Sequence, residues 1–184
     1  MGLQDKRILQ LINNSDNKEL GFELLVKKYT TKVYWVVKRM VIINEDTEDL
    51  LQEIFLKIWK NIDKFKGNSE LYTWIYRIAV NETINFINHK KKKFLISIDD
   101  YTEKQISAIE TDTFFPPDTI EKRLHKAITS LPPKQKAIFE LRYFENLKHE
   151  QIAEILGISI GNVKSQYHNA VEKIKKMVTI DTQD

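Results

Sequence analysis

Apolar residues along this chain recur three and four positions apart, with no sustained alternation by two, so the pattern predicts helices rather than strands. Between Asp49 and Ile62, the residues Leu50, Leu51, Ile54, Phe55, Ile58, Trp59 and Ile62 gather on one wide side of a helix and predict a core-facing surface. The next helix, from about Glu70 to His89, turns Leu71, Trp74, Ile75, Ile78 and Ala79 inward. Both lie in a first helical block from about Asp5 to Lys93. Its breaks are predicted near Asn13–Asn17, at Asn44 as an N-cap ahead of Glu45 and Asp46, and at Lys66-Gly67-Asn68-Ser69. From Phe94 to Pro117 no period is visible, and scattered Ser and Thr end in Phe114-Phe115-Pro116-Pro117, the composition of a linker. Asp118 with Glu121 then reads as a capping box, and Pro132-Pro133 as the start of a further helix, because proline suits a first turn. The expected fold is all-α: two small helical domains, 1–93 and 118–184, joined by a flexible linker over 94–117.

The second block contains a more specific pattern. His149 to Leu156 reads as a short helix with Ile152, Ile155 and Leu156 inward, followed by Gly157 where a left-handed C-cap is wanted and Ile158 at the corner. Ser159 is placed to cap another helix, whose stripe is Val163, Tyr167, Ala170, Val171, Ile174, Met177 and Val178. Its opposite side holds Gly161, Asn162, Ser165, His168, Asn169, Glu172 and Lys176. A helix, a glycine turn and a second helix with a polar, partly basic outer face form the layout of a helix-turn-helix. Such a second helix can enter a major groove, where Asn and Gln pair with adenine and Lys holds guanine or phosphate.

Composition narrows the classes. Hydrophobic residues make up 42% and charged residues 30%, as in a globular protein. No apolar run approaches a membrane span, the N-terminus lacks the layout of a secretory signal, and the expected location is the cytoplasm. Zero cysteines exclude disulfides and thiolate metal sites. The four histidines are scattered, His149-Glu150 lacks the second histidine of a zinc motif, and no glycine-rich phosphate loop occurs. No cofactor, metal or enzymatic activity is expected. The net charge is +3, but Ser97 to Glu121 carries −6, leaving +9 elsewhere: two basic blocks flank an acidic connector, a layout suited to polyanion-facing modules.

Two polar faces remain in the first block. On the helix from Asp49, the outward side holds Asp49, Gln52, Glu53, Leu56 and Lys60, and an apolar Leu56 among them points to a protein interface. On the next helix Thr73, Arg77, Asn81 and Asn88 form a strip, and Asn81, Asn85 and Asn88 lower helix propensity without an evident folding reason. His89 and Lys90 to Lys93 then suit both a helix C-terminus and phosphate contact. Of the aromatics able to stack on a base, Trp74 is a core residue by its angle, while Tyr72 and Tyr76 stay open. From these residues alone, a free-standing helix-turn-helix regulator with a sensing or dimerising first domain remains an alternative.

The run Ser130-Leu131-Pro132-Pro133, then Gln135 to Tyr143, then the helix-turn-helix with Val163-Lys164-Ser165, resembles region 4 of the extracytoplasmic-function (ECF) sigma factors of the sigma-70 family. Asp49-Leu50-Leu51-Gln52-Glu53-Ile54-Phe55 followed by Ile62-Asp63-Lys64-Phe65 is similar to region 2.2, and Thr73 to Asn81 to regions 2.3–2.4. The resemblance implies a subunit that binds RNA polymerase core and directs promoter-specific initiation. It implies core contacts at Asp49, Gln52, Glu53 and Leu56 on the β′ clamp coiled coil, with region 4 on the β flap. Contacts to the minus-10 element are implied for Lys66, Asn68, Ser69, Thr73, Arg77 and Asn81. Contacts to the minus-35 element are implied for Ser159, Gly161, Asn162, Lys164, Ser165, His168, Asn169 and Lys176. The acidic linker would thread the polymerase channel later used by RNA, and an anti-sigma factor is the further partner that the family suggests. Lys148 departs from the usual Ser or Thr cap, and Gln166 and Asn169 stand at commonly basic positions.

Overall fold

Local chemistry sets each helix boundary in the first half of the chain. Helix α1 (Leu3–Ile12) turns through a 3-10 segment at Ser15–Asn17, where the Asn14 side chain accepts the Asp16 N–H at 3.0 Å, into α2 (Lys18–Val41). The buried Asp5 carboxylate ties the two helices by accepting from Lys28 Nζ at 2.6 Å and Tyr29 Oη at 2.9 Å. Gly21 permits their close approach: a Cβ there would lie 2.8 Å from both the Ile12 backbone nitrogen and its side chain.

The end of α2 is strained. Ile42 has φ 70° and ψ −49°, and the Ile43 N–H reaches back to the Val41 carbonyl at 2.9 Å, which is a γ-turn of the rare, costly hand. The surroundings hold it there. Buried Lys38 donates from Nζ to the Ile42 carbonyl and to Asn44 Oδ1, each at 2.5 Å. Helix α3 (Asn44–Asn61) therefore starts one residue earlier than expected: Ile43 is its N-cap, and Asn44 is a helical residue engaged with Lys38. After a 3-10 turn at Ile62–Lys64, the loop carries Gly67 at φ +73° and leads into α4 (Leu71–Lys93).

This computed structural model describes residues 2–93, 98–111 and 120–180, and among them there are nine α-helices and no strand. Within the aperiodic linker range lies a helix that the pattern did not predict, α5 (Ile98–Thr111). Its buried Gln105 donates from Nε2 to the Met40 and Val41 carbonyls at 3.0 and 2.7 Å, while Ile109 packs on Ile42. The linker helix thus satisfies carbonyls at the end of α2 that its own ladder leaves open. The expected Asp118 cap lies outside the described residues.

The second half comprises α6 (Ile120–Thr129), α7 (Pro133–Tyr143), α8 (His149–Leu156) and α9 (Ile160–Ile180). Pro133 occupies the first turn of α7, as expected. Ala127, Ile128, Leu131, Phe139, Ala170 and Ile174 form a small core of its own. The larger core crosses between the halves, running from Ile8, Leu25 and Val37 through Ile54, Ile75 and Val80 to Leu141, Ile152, Ile155 and Val163. The expected inward residues of α3 comply, with Leu50, Ile54, Ile58 and Ile62 buried and Leu51, Phe55 and Trp59 half-buried.

Gly21→Ala should destabilise the protein by about 1–3 kcal/mol, because backbone as well as side chain must move to admit the methyl. Urea unfolding monitored by circular dichroism checks this, and an unchanged midpoint would mean that α1 shifts at no cost.

Candidate nucleic-acid interface

The helix-turn-helix closes on its glycine. Gly157 has φ 65° and ψ 37°, and the Ile158 N–H bonds the Ala153 carbonyl at 3.1 Å, ending α8 in the left-handed cap that the residue pattern called for. Ser159 Oγ accepts the Asn162 N–H at 3.2 Å and starts α9. Val163, Ala170 and Ile174 face inward, while Met177, expected in the same stripe, is 43% exposed with its Sδ accepting the Ser130 hydroxyl at 3.2 Å. Ser159, Gly161, Asn162, Lys164, Ser165, His168, Asn169 and Lys176 are all exposed. They form one continuous outer face on a helix about 30 Å long, the dimension of a major-groove reader.

Lys148, in place of the usual hydroxyl cap, leaves the start of α8 to Gln151. That side chain accepts the Lys148 N–H at 2.8 Å through Oε1 and donates through Nε2 to the Tyr72 hydroxyl on α4.

On α3 the outward face is as expected. Asp49, Gln52 and Glu53 are exposed, and Leu56 is 58% exposed. The neighbouring Lys57 turns instead to Glu82 at 2.6 Å, so it does not neutralise the acidic pair.

The α4 strip is divided. Lys66, Asn68 and Asn81 are exposed and Ser69 is half-buried. Thr73, expected to face DNA, is only 1% exposed on a helix that packs against α2, α3, α7 and α8. Arg77 is half-covered, with Nη2 donating to the Glu154 carbonyl at 2.8 Å. Trp74 packs against Phe65 with ring centres 5.6 Å apart and ring planes tilted by 57°, consistent with its core angle. Tyr72 is half-buried and Tyr76 buried, so neither tyrosine is open to a base in this arrangement. Asn85, Asn88 and His89 are exposed, and Lys90 pairs with Asp46 at 2.8 Å. The side chains of 91–93 lie outside the described residues.

A polar cluster joins the halves, and the residue pattern did not predict it. Arg39 of α2 donates from Nε to Glu140 Oε2 at 2.7 Å and from Nη2 to Glu145 Oε1 at 2.5 Å. Tyr76 Oη donates to Glu145 Oε2 at 2.9 Å. The guanidinium also lies 4.7 Å from the centre of the Phe144 ring, whose far neighbour is His125 at 5.7 Å. Burial raises the Glu140 carboxyl to about 7 despite the nearby Arg39, and burial, aided by Arg39 and Lys136, lowers His125 to about 4. Burial and the Glu145 carboxylate also raise the Tyr76 hydroxyl, so it stays a donor. No cluster able to hold a metal ion occurs among the described residues, and no described helix is long and apolar enough to cross a membrane.

The Sigma-70 region 2 family model matches residues 25–93, and the Sigma-70, region 4 model matches residues 121–174. The ECF RNA polymerase sigma-E factor of Haemophilus influenzae is 32% identical over 184 residues, with 96% of each chain covered. The ECF RNA polymerase sigma factor SigW of Bacillus subtilis is 30% identical, with 97% of this chain and 98% of that one covered. This chain belongs to the ECF sigma factors. RNA polymerase sigma-H factor of Pseudomonas aeruginosa is similar at 31% identity over 183 residues, with 94% of this chain and 93% of that one covered. Two solved structures share the fold. One is CnrH in complex with the cytosolic domain of CnrY, with a TM-score of 0.68 at 17% identity over 97% of this chain and 99% of that one. The other is the sigma factor RpoE of Bartonella quintana in complex with the anti-sigma factor NepR, with a TM-score of 0.67 at 20% identity over 87% and 98%. As a sigma factor, the protein binds RNA polymerase core and directs promoter-specific initiation of transcription.

Glu140 and His125 give this sigma factor opposing pH dependences. Glu140 binds its proton more tightly folded than unfolded, so its contribution is complete below the unfolded value of 4.5 and is lost as pH rises through about 7. His125 is held neutral, so its contribution is complete above 6.5 and is lost as pH falls toward about 4. Between about pH 4.5 and 6.5 the two slopes nearly cancel, so the parent's urea midpoint should peak shallowly at about pH 5.5. Glu140→Gln should leave a midpoint that rises toward pH 6.5, and His125→Gln one that falls from about pH 4.5 to 7. A Glu140→Gln profile parallel to the parent's would show that the carboxyl titrates alike folded and unfolded.

Proposed function

We propose that this sigma factor works through three surfaces and binding energy alone, with no cofactor and no chemical step of its own, in the cytoplasm where polymerase acts. Residues 1–93 serve as region 2, 94–117 as the connector through the polymerase channel, and 118–184 as region 4. Asp49, Gln52, Glu53 and Leu56 dock on the β′ clamp coiled coil. Leu56, 58% exposed between Glu53 and Lys60 on the outward side of α3, is the observation that carries this reading: an apolar side chain on a charged face suits a partly apolar protein partner rather than water.

Region 4 sits on the β flap and lays α9 in the minus-35 major groove, with Asn162, Lys164, Ser165, His168 and Asn169 toward base edges and phosphates. Ser159, Gly161 and Lys176 complete that surface; Gly161, with open space where a Cβ would stand, lets the backbone come close to DNA. Lys66, Asn68, Ser69, Thr73, Arg77 and Asn81 receive the non-template strand of the minus-10 element once the duplex melts. Neutralised phosphates make the affinity salt-dependent, with a log–log slope of about −0.9 per phosphate. An anti-sigma partner is part of the proposal, since one solved relative is bound to a named anti-sigma factor.

Run-off transcription from a pool of genomic promoter fragments, with cognate core and this protein, should give discrete new starts. Glu53→Lys should lower them on the order of tenfold or more, the scale of a central interface residue, while leaving the urea midpoint unchanged. Tight promoter binding by the free protein with no new transcripts would overturn the proposal in favour of a free-standing regulator.

A further inference from the structure

The reading helix is braced from one side by three polar groups in series. Gln135, in the first turn of α7, donates from Nε2 to Gln166 Oε1 of α9 at 2.8 Å, and its own Oε1 accepts Lys173 Nζ at 3.2 Å. Both glutamines are half-buried, and Lys173 is exposed. Chemistry fixes the direction of this relay. A lysine ammonium carries donors only, so the Gln135 atom that faces Lys173 is its oxygen. The Gln135 nitrogen then faces Gln166, which must answer with its own oxygen. Gln166 is left presenting an amide NH2, a group that donates and does not accept.

Position narrows what that group can meet. Gln166 and Lys173 lie two turns apart on one flank of α9, about 100° around the helix from the middle of the face that holds Ser165, His168 and Asn169. A side chain on the flank of a helix in a major groove meets the backbone that walls the groove, while the central face meets base edges. An amide that pairs with adenine uses its oxygen and its nitrogen together. Gln166 has given its oxygen to Gln135, so it suits a partner that only accepts, and a phosphate oxygen is one.

We propose that Gln166 is a further DNA contact, donating its amide N–H to a backbone phosphate beside the minus-35 element, and that Gln135 is the positioning residue that holds it in that orientation. Lys173 sets the polarity of the pair. The inference rests on the proposed seat of α9 in the minus-35 groove. It adds a residue of α7, outside the reading helix, to those that determine promoter affinity, through a contact that carries no base preference.

The test uses holoenzyme reconstituted with cognate core and a promoter fragment from the run-off pool. Gln166→Ala should weaken binding on the order of tenfold, the scale of a hydrogen bond to a charged group. The factor should be the same on fragments with single minus-35 base pairs exchanged. The log–log salt slope should not change, since an uncharged donor neutralises no phosphate. Gln135→Met keeps the side chain's length and removes its donor; it should cost about fivefold in the parent and nothing in the Gln166→Ala background.

A Gln135→Met loss that persists in the Gln166→Ala background is a structural effect and overturns the positioning role. A Gln166→Ala loss confined to particular base pairs overturns the phosphate assignment, and a shallower salt slope shows instead that all of α9 has shifted. Unchanged affinity in both variants overturns the proposal outright. If Asn162→Ala and Lys164→Ala weaken binding in that same assay, the seat of α9 stands without the relay; if they too are silent, both fall. Each step of the cycle compares affinities within one background, so a common loss of stability cancels.

Discussion

A guanidinium held between two carboxylates decides how the halves of this protein meet. Arg39 belongs to the longest helix of the first half, Glu140 and Glu145 to the seventh helix and the turn after it, and Glu140 is fully buried. A carboxylate in such a place costs several kcal/mol unless it is paired, and removing one partner from a buried pair costs about 3–5 kcal/mol. Apolar packing alone tolerates many relative placements. A buried charged group with directional partners tolerates few, so this cluster selects one placement of the second half over the first.

Around that cluster the apolar surface is continuous. Leu141, Ile152, Ile155 and Val163 share a core with Val37, Ile75 and Val80. The seventh and eighth helices therefore pack on the fourth, while the reading helix keeps its polar residues in water. Closing the chain hides one proposed nucleic-acid surface and leaves the other open.

Periodicity made the third and fourth helices and the helix-turn-helix legible, because each buries a wide apolar stripe. The glycine cap at Gly157 and the serine cap at Ser159 were legible for the same local reason. The fifth helix was not: its described core-facing residues are Gln105 and Ile109, and a glutamine that caps another helix's carbonyls looks like any polar residue. Thr73, placed on a wet strip by the pattern of its own helix, is buried in the folded chain, which only tertiary packing decides. Glu140 did leave a trace: it sits beside Ala137, Ile138 and Leu141 at core spacing, where a lone carboxylate asks for a cation. Which cation it meets depends on tertiary packing, as does the partner of Gln151. The exposed faces at Asp49 and Asn162 were found because an outward apolar residue and a capped polar helix are local signals.

The shared core also bears on the order in which the protein is made. Ribosomes release the first half while the residues that complete its core are still unmade. Some seventy residues separate the end of the fourth helix at Lys93 from Val163, the last of the larger core's buried side chains. At about 5–20 residues per second the nascent chain spends roughly 4–14 seconds with an apolar face turned to water. During that interval the first half is most open to chaperones, to proteases, and to any polymerase already present.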